Sequence, residues 1–229
     1  MSDLAIIIPV KDEEDGLRFL HDDFRKSSLG KEYDILFIFV IDERTNDESK
    51  KIASFFSEEI IDQSKTTGKG AAIKQAVRSW ANNPTRLVVF LDADGSYSFD
   101  SVRKLVNALE NGADVASGSR FLSSGRRPSG MTRLHNFGNR GLSLFSSFRN
   151  RRRITDLCTG LWGFKRESLE MMRIKSNGFD LEAELAGLSR KNRLKHIEVP
   201  VDWSQRKGGT SKLRSLRDGL IIFIRILIT

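Results

Sequence analysis

Two aspartates that follow a run of apolar residues are the side chains best placed for chemistry. The run Leu87–Leu91 has five apolar residues in a row, which is typical of a strand buried on both faces. Asp92 and Asp94 come directly after it, so strand alternation predicts both carboxylates on one side and Ala93 on the other. Mg²⁺ is commonly held by one or two carboxylates together with phosphate oxygens. The pair therefore predicts a divalent cation bound with a diphosphate, and the alternative is a polar strand end that merely begins a turn.

Further apolar runs, separated by amphipathic helices, surround these aspartates. The runs predict strands at residues 4–10, 34–42, 59–62 and 113–119 in the first half of the chain, and at 161–164 and 197–203 in the second. Strands that alternate with helices favour an α/β fold with a mostly parallel, doubly wound sheet, and 229 residues suffice for one domain. Such sheets bind ligands at the carboxyl ends of their strands, which is where the two aspartates are expected.

The net charge of +8 indicates an anionic partner such as nucleic acid, anionic lipid or a phosphorylated substrate. Many of the arginines fall between residues 123 and 153, a stretch with no acidic residue and with Phe137, Phe145 and Phe148 among them. This stretch is interpreted either as a solvated basic face or as a surface for phosphate or anionic lipid head groups. Interleaved arginine and phenylalanine would also suit single-stranded nucleic acid.

Two glycine-containing basic segments are candidates for phosphate binding. Lys69 lies in the sequence Thr-Thr-Gly-Lys-Gly at residues 66–70, at the predicted start of a helix, although the full spacing of a P-loop is absent. Residues 206–212 form a second such loop. The alternative for Lys69 is a solvated side chain.

Three acidic residues in the second half need an explanation. Asp156 follows the arginine-rich stretch and is either an ion-pair partner of those arginines or a working carboxylate. Glu182 and Glu184 are two residues apart on a predicted helix and so do not share a face, which predicts that one of them points inward.

The C-terminal residues 216–228 are mostly apolar but fall short of the roughly 20 residues of a membrane span. A core helix, a dimer contact and a helix lying on a membrane surface all fit this segment, and we favour the last. Cys158 is the one cysteine of the chain, which excludes an intramolecular disulfide and fits a reducing compartment.

Taken in order, these motifs resemble those of the inverting family 2 glycosyltransferases, which have the GT-A fold. The chain is most similar to the polyprenyl-phosphate sugar synthases of the dolichol-phosphate mannose synthase type, and the resemblance extends from Ile6 to about Leu227. The motifs that carry it lie at residues 9–13, 41–47, 68–72, 92–94, 118–120, 156–160, 178–185 and 206–212.

The resemblance implies a role for each matched position. The nucleotide would be bound by Pro9, Lys11, Glu13, Asp42, Lys69, Asp92 and Ala93. Asp92 and Asp94 would hold Mg²⁺ or Mn²⁺. Acceptor or donor phosphates would be bound by Arg120, Arg206, Ser211 and Lys212, and Glu184 would belong to the same acceptor- or phosphate-binding set. Catalysis would involve Asp94, Arg120 and Asp156, the last of which would orient the acceptor or accept a proton.

The same resemblance implies transfer of a sugar from a UDP- or GDP-sugar to polyprenyl or dolichyl phosphate. The protein would act as a peripheral protein at the cytoplasmic face of the membrane, without a nucleic-acid partner. Residues 1–213 would form the GT-A domain, with a nucleotide-binding half at 1–120 and an acceptor-binding half at 121–213, and residues 214–229 the interfacial helix. The alternatives are a sugar or protein acceptor, a catalytically silent membrane-associated domain, and a nucleic-acid-binding module. The 42–47 loop departs from the family pattern, because Glu43 replaces the usual Asp and Arg44 the usual Gly.

Overall fold

A seven-stranded sheet organises the molecule, in a computed structural model that describes residues 3–57, 59–63, 66–122, 127–128, 130–208 and 215–229. The spatial order of its strands is β3-β2-β1-β4-β6-β5-β7. In chain order the strands are β1 (Leu4–Val10), β2 (Ile35–Asp42), β3 (Ile60–Gln63), β4 (Leu87–Leu91), β5 (Val115–Ser119), β6 (Leu161–Lys165) and β7 (His196–Pro200). The predicted strands are thus confirmed, and Pro200 ends a strand at the sheet edge, where its missing N–H costs no ladder hydrogen bond.

The sheet is parallel except at β6, which runs antiparallel to both of its neighbours. Leu91 pairs with Leu161 and Val115 with Phe164, so β6 lies between β4 and β5. This insertion brings the residues just before β6 to the carboxyl ends of β4 and β5. The mostly parallel α/β sheet predicted from the sequence is confirmed.

Helices cover both faces of the sheet. They are α1 (Glu14–Lys26), α2 (Leu29–Glu32), α3 (Ser49–Ala53), α4 (Lys69–Trp80), α5 (Phe99–Glu110), α6 (Arg133–Asn150), α7 (Arg166–Glu170), α8 (Leu181–Lys191) and α9 (Ser215–Ile228). Alternate residues of β1 enter different cores: Leu4, Ile6 and Ile8 pack with α1 and α5, whereas Ala5 and Ile7 pack with α4 and α8. The fully buried strands therefore need no polar face, in keeping with their continuous apolar sequences.

Helix α6 buries polar side chains and exposes apolar ones, which is the reverse of an ordinary surface helix. It buries a polar stripe of Asn139, Ser143, Ser146 and Asn150. Its exposed side carries Phe137 and Phe148, which are 79% and 84% exposed.

Helix α9 packs against α6 and extends the exposed apolar area. The rings of Phe145 and Phe223 lie 4.6 Å apart between the two helices. Ile222 and Ile226 of α9 enter the core, whereas Leu220 and Ile228 are 61% and 68% exposed. Within the described ranges, no helix combines the length and hydropathy that a membrane crossing requires.

Candidate active site

The first of the two aspartates forms a three-residue ion cluster with the start of α4 and with α8. Lys69 Nζ lies 2.6 Å from Asp92 Oδ1 and 2.6 Å from Glu182 Oε1. Burial alone lowers the pKa of Lys69, but the two carboxylates more than offset this effect and raise the pKa above its usual value. Lys69 is thus a permanently charged group at the helix start predicted for it, beside a carboxylate at the carboxyl edge of the sheet.

The second aspartate is flanked by another cation, from the segment that follows β7. Arg206 Nη2 lies 2.6 Å from Glu13 Oε1 and 3.8 Å from Asp94 Oδ2. The backbone holds this segment in place, because Lys207 N–H donates to the Asp94 carbonyl and Ser204 N–H donates to the Ser96 carbonyl, each at 3.0 Å. Residues 203–208 therefore lie across the loop that carries the aspartates.

Close backbone approaches fix both aspartates. A Cβ atom on Gly16 of α1 would overlap the Ala93 carbonyl, and a Cβ atom on Gly160 would overlap the Asp92 carboxylate. Ala93 itself is 3% exposed and packs in the core, which confirms that it faces away from its two neighbours. Glycine is needed at both positions because no larger residue leaves room for the aspartate loop.

These two aspartates suit a divalent cation that arrives with a phosphorylated ligand. Among the described residues, no three or more His, Cys, Asp or Glu side chains cluster in a way that could hold a metal ion by themselves. The side chains of Asp92 and Asp94 are 30% and 21% exposed, so both reach the cleft surface. Because Mg²⁺ typically takes one or two carboxylates and completes its shell with phosphate oxygens and water, this donor set fits it.

At the end of β2, Asp42 is covered by an arginine two residues further on. Arg44 Nε–H donates to Asp42 Oδ1 at 2.9 Å, and Arg44 Nη2–H donates to Asp42 Oδ2 at 2.7 Å. The hydrogen bond from Arg44 holds the pKa of Asp42 below its usual value against the opposing effect of burial, and Lys11 acts in the same direction. Pro9 is half-buried and pairs with Val40, so β1 brings Lys11 to the same edge.

Asp156 lies beneath the cleft and holds Arg120, the residue that follows β5. Arg120 Nε–H donates to Asp156 Oδ2 at 2.6 Å and Arg120 Nη2–H donates to Asp156 Oδ1 at 2.7 Å. Asn139 of α6 donates to Asp156 Oδ1 at 2.7 Å. Asp156 is the ion-pair partner of Arg120. Because its side chain is 0% exposed, it has no access to a proton of the acceptor. This burial speaks against the role of proton acceptor, and a part for Asp156 in orienting the acceptor stays a prediction.

Glu184 does not join this group of residues, contrary to the sequence-based expectation. Its carboxylate is buried under α9, where Oε2 accepts N–H groups of Lys175 and Ser176 at 2.9 and 2.7 Å, and Oε1 lies 3.5 Å from Arg225 Nη1. The prediction that one of Glu182 and Glu184 points inward is also wrong, because they are 7% and 2% exposed. Glu182 is buried against Lys69 at the start of α4, whereas Glu184 is buried beside Arg225 of α9, so both sides of this part of α8 are covered.

Two further residues of the predicted set, Ser211 and Lys212, lie outside the described residues. The structure does bring together Lys69, Asp92, Asp94, Glu13, Asp42, Arg120 and Arg206 at the carboxyl edge. Sequence reasoning missed Glu182 as the partner of Lys69 and Asn139 as the partner of Asp156. For Asn139 a signal existed, since Asn139, Ser143, Ser146 and Asn150 recur at helical spacing as a polar stripe.

Known proteins include relatives of this chain. Residues 5–172 match the family model described as glycosyl transferase family 2. The glycosyltransferase AglJ of Haloferax volcanii is 30% identical over 224 residues, which cover 97% of this chain and 70% of that protein. The dolichol-phosphate mannosyltransferase of Pyrococcus furiosus is 25% identical, with 92% of this chain and 59% of that protein covered.

A further relative is a polyprenol-phosphate enzyme by its name. The polyprenol monophosphomannose synthase of Mycolicibacterium smegmatis is 27% identical over 163 residues, which cover 67% of this chain and 59% of that protein. The matched part of this chain thus covers less than two thirds of the length of the Pyrococcus and Mycolicibacterium relatives, and 70% of the length of AglJ.

Solved structures show the same fold at lower sequence identity. Glucosyl-3-phosphoglycerate synthase of Mycobacterium tuberculosis, solved with phosphoglyceric acid, has a TM-score of 0.72 and 17% identity, with 99% of this chain and 79% of that chain covered. The same enzyme, solved with Mn²⁺, UDP-glucose and glycerol 3-phosphate, has a TM-score of 0.68. At this identity the likeness concerns the fold, which is that of the GT-A glycosyltransferases. Because the family model matches most of this chain, the chain belongs to glycosyl transferase family 2. Within that family it is similar to the dolichol-phosphate mannose synthase type.

Proposed function

We propose that this protein transfers a sugar from a nucleoside-diphosphate sugar to a polyprenyl or dolichyl phosphate, with inversion at the anomeric carbon. The observation that carries the proposal is the pairing of two cleft carboxylates, Asp92 and Asp94, with the cations Lys69 and Arg206 at the carboxyl edge of the sheet. Alternating charges of this kind suit a metal-bound diphosphate, because carboxylates alone would repel it and cations alone would need no metal. The names of the Pyrococcus and Mycolicibacterium relatives support a lipid phosphate as the acceptor.

In this proposal Asp92 and Asp94 hold Mg²⁺ or Mn²⁺. The bound cation would neutralise charge on the diphosphate as it leaves the sugar. Lys69 and Arg206 stand beside the two carboxylates and would neutralise further oxygens of the same diphosphate. The nucleotide would lie over the ends of β1 and β2, near Glu13 and the half-buried Pro9.

The acceptor would be oriented by Arg120. Asp156 and Asn139 fix this guanidinium from below, and its side chain is still 11% exposed toward the cleft. A phosphate oxygen of the acceptor would attack the anomeric carbon, the bond from that carbon to the diphosphate would break, and the diphosphate would leave with the electron pair. Since a phosphate oxygen is already ionised at neutral pH, the reaction needs no strong general base, which agrees with the inaccessible Asp156.

A lipid acceptor implies that the protein works at a membrane surface, which we place at the cytoplasmic face. The apolar face of α6 and α9 supports peripheral attachment, since it exposes Phe137, Leu144, Phe148, Leu220 and Ile228 together. Large exposed apolar areas mark interaction sites. The exposed arginines at positions 133, 151 and 153, at the two ends of α6, would attract anionic lipid.

The first experiment is a thermal-shift panel with UDP, GDP and CMP, each in the presence of Mn²⁺ or EDTA. We expect one diphosphate to raise the melting temperature only with Mn²⁺, and Asp94→Asn to lose that shift while keeping the melting temperature of the unliganded protein. A matched assay would follow sugar transfer to a short-chain polyprenyl phosphate. An Asp94→Asn variant with full metal-dependent transfer would refute the assignment of the cation site. Absence of any nucleotide shift, together with salt-sensitive binding of oligonucleotides, would instead favour a nucleic-acid-binding module.

A further inference from the structure

Glu198 of β7 takes no part in the reaction as proposed, yet its carboxylate accepts hydrogen bonds at both oxygens. Oε1 accepts from the backbone N–H groups of Thr155 and Asp156 at 2.9 and 3.0 Å. Oε2 accepts from the backbone N–H of Thr155 at 2.8 Å and from its hydroxyl at 2.9 Å. These partners lie 43 and 42 residues away in the sequence, so the contact joins the edge strand β7 to the segment between α6 and β6.

The hydrogen bonds fix the backbone of a segment that belongs to no helix or strand. Residues 151–160 connect α6 to β6, and the buried N–H groups of such a connection need acceptors from elsewhere in the fold. The hydroxyl of Thr155 also lies 2.6 Å from the hydroxyl of Ser119, the last residue of β5. The segment is therefore attached to both β7 and β5, directly beside Arg120.

Asp156 transmits this placement to Arg120. Its backbone N–H is bound by Glu198, and its carboxylate accepts from Arg120 Nε and Nη2 at 2.6 and 2.7 Å. Two parallel hydrogen bonds to a planar guanidinium add geometric specificity, so the guanidinium follows the carboxylate that holds it. A displacement of the backbone at residues 155–156 would therefore displace the arginine at the cleft.

The position of the Glu198 oxygens matters more for this contact than their charge. The donors are backbone N–H groups and a hydroxyl, which are uncharged and need an acceptor oxygen at about 3 Å. Burial raises the pKa of Glu198, and the hydrogen bonds from Asp156 and Thr155 oppose this effect. A neutral amide of the same length would still offer an oxygen to the two N–H groups, and its own N–H could donate to the hydroxyl.

We propose that Glu198 is a positioning residue for the acceptor: by holding residues 155–156 it sets Arg120 in the place where the acceptor phosphate binds. This inference rests on the proposed function, in which Arg120 orients that phosphate. It extends the support of Arg120 from Asp156 and Asn139 to the edge strand of the sheet.

Two conservative variants separate position from charge. Glu198→Gln keeps the length of the side chain and loses the charge, whereas Glu198→Asp keeps the charge and withdraws the oxygens by one C–C bond, about 1.5 Å. Asp202→Asn is the matched control, because it changes an acidic side chain that is 79% exposed just beyond β7 and lies 3.0 Å from Lys104.

Steady-state transfer to a short-chain polyprenyl phosphate is the first measurement. We expect Glu198→Asp to lower kcat/KM for this acceptor about ten-fold, because a small misplacement of an orienting group has effects of this size or larger. KM for the nucleotide-sugar should stay within about two-fold of the wild-type value, because the contact lies on the acceptor side. Glu198→Gln and Asp202→Asn should keep both constants within about two-fold.

Hydrogen exchange of the arginine Nε–H groups, followed by NMR, measures the hold on Arg120 without any substrate. The Nε–H of Arg120 should exchange about ten-fold faster in Glu198→Asp than in the wild type, because local opening becomes easier. The Nε–H of Arg225, which donates to Asp180 at 2.7 Å, is the internal reference and should keep its rate. Equal acceleration of both groups would indicate a general loss of stability and would overturn the inference.

The two measurements distinguish the inference from the proposed function. Unchanged exchange of Arg120 or unchanged transfer in Glu198→Asp overturns the positioning role, and so does a Glu198→Gln variant that loses as much transfer as Glu198→Asp. If the wild type transfers no sugar to the lipid phosphate while the exchange of Arg120 responds as expected, the proposed acceptor is overturned and the hold of Glu198 on Arg120 stands.

Discussion

Asparagine at position 156 would remove the negative charge that holds Arg120 while leaving the shape of the side chain nearly unchanged. Four N–H groups now donate to the Asp156 carboxylate: the Arg120 backbone N–H at 3.0 Å, Arg120 Nε and Nη2 at 2.6 and 2.7 Å, and Asn139 Nδ2 at 2.7 Å. In Asp156→Asn, one oxygen becomes an NH₂ group that faces donors, and the Arg120 charge loses its partner.

The burial of the pair determines the size of the effect. The side chain of Arg120 is 11% exposed and that of Asp156 is 0% exposed. Removal of one partner from a buried ion pair costs about 3–5 kcal/mol, whereas exposed pairs contribute about 0.2–1 kcal/mol. We therefore expect Asp156→Asn to lower the free energy of unfolding by about 3–5 kcal/mol, a large part of the 5–15 kcal/mol that is typical of a domain.

Urea denaturation followed by circular dichroism measures this loss. Glu170→Gln is the matched control, because it breaks an exposed pair with Arg166 at 2.7 Å on α7 and should cost less than about 1 kcal/mol. A loss of less than about 1 kcal/mol for Asp156→Asn as well would refute the view that Asp156 compensates a buried charge.

A double variant separates stability from orientation. Replacing both partners with apolar residues, as in Arg120→Met with Asp156→Leu, should recover much of the stability because no buried charge is left unpaired. Sugar transfer should not recover, because the arginine proposed to orient the acceptor is gone. Recovery of transfer in the double variant would contradict the role given to Arg120.

Three further outcomes follow from burial and exposure. Phe148→Ser should weaken binding to anionic liposomes in a sedimentation assay, whereas Phe55→Ser, which alters a ring 62% exposed outside α6 and α9, should leave it unchanged. Burial, and secondly the charge of Arg152, lower the pKa of His196 well below its usual value of 6.5. As the pH falls below 6.5, the unfolded state therefore binds more protons than the folded state. Stability should therefore decrease by up to about 1.4 kcal/mol per pH unit below the unfolded pKa, and denaturation curves of His196→Gln should lack this contribution. Burial raises the pKa of the Cys158 thiol to about 12, so iodoacetamide at pH 8 should modify it far more slowly in the native protein than in urea, as mass spectrometry would measure.

Much of the fold could be predicted from local sequence patterns. The apolar runs that became β1, β2 and β4 are buried on both faces, so their composition alone identifies them. The position of Lys69 at a helix start and of Asp92 and Asp94 after a strand were predicted for the same reason, because each depends on a few neighbouring residues. The antiparallel direction of β6 was not predicted, since strand direction depends on the path of the chain before it.

The partners of the charged side chains needed the tertiary structure. Lys69 and Glu182 are 113 residues apart, and Arg206 and Glu13 are 193 residues apart, so no local pattern relates them. For the same reason, the sequence offered Glu184 as a ligand-binding residue, whereas the packing of α9 over α8 buried it beside Arg225.

The sequence by itself determined the order of strands and helices, and it placed the acidic residues at strand ends, because hydrophobic periodicity and turn residues act locally. Only the tertiary structure decided which charges meet, which carboxylates reach the cleft and which face of α6 is exposed. The polar stripe of α6 turns inward because Asn139 binds Asp156 and accepts a hydrogen bond from Cys158 N–H. Phe137, Leu144 and Phe148 of that helix are left exposed, although helical spacing alone would have placed apolar residues in the core.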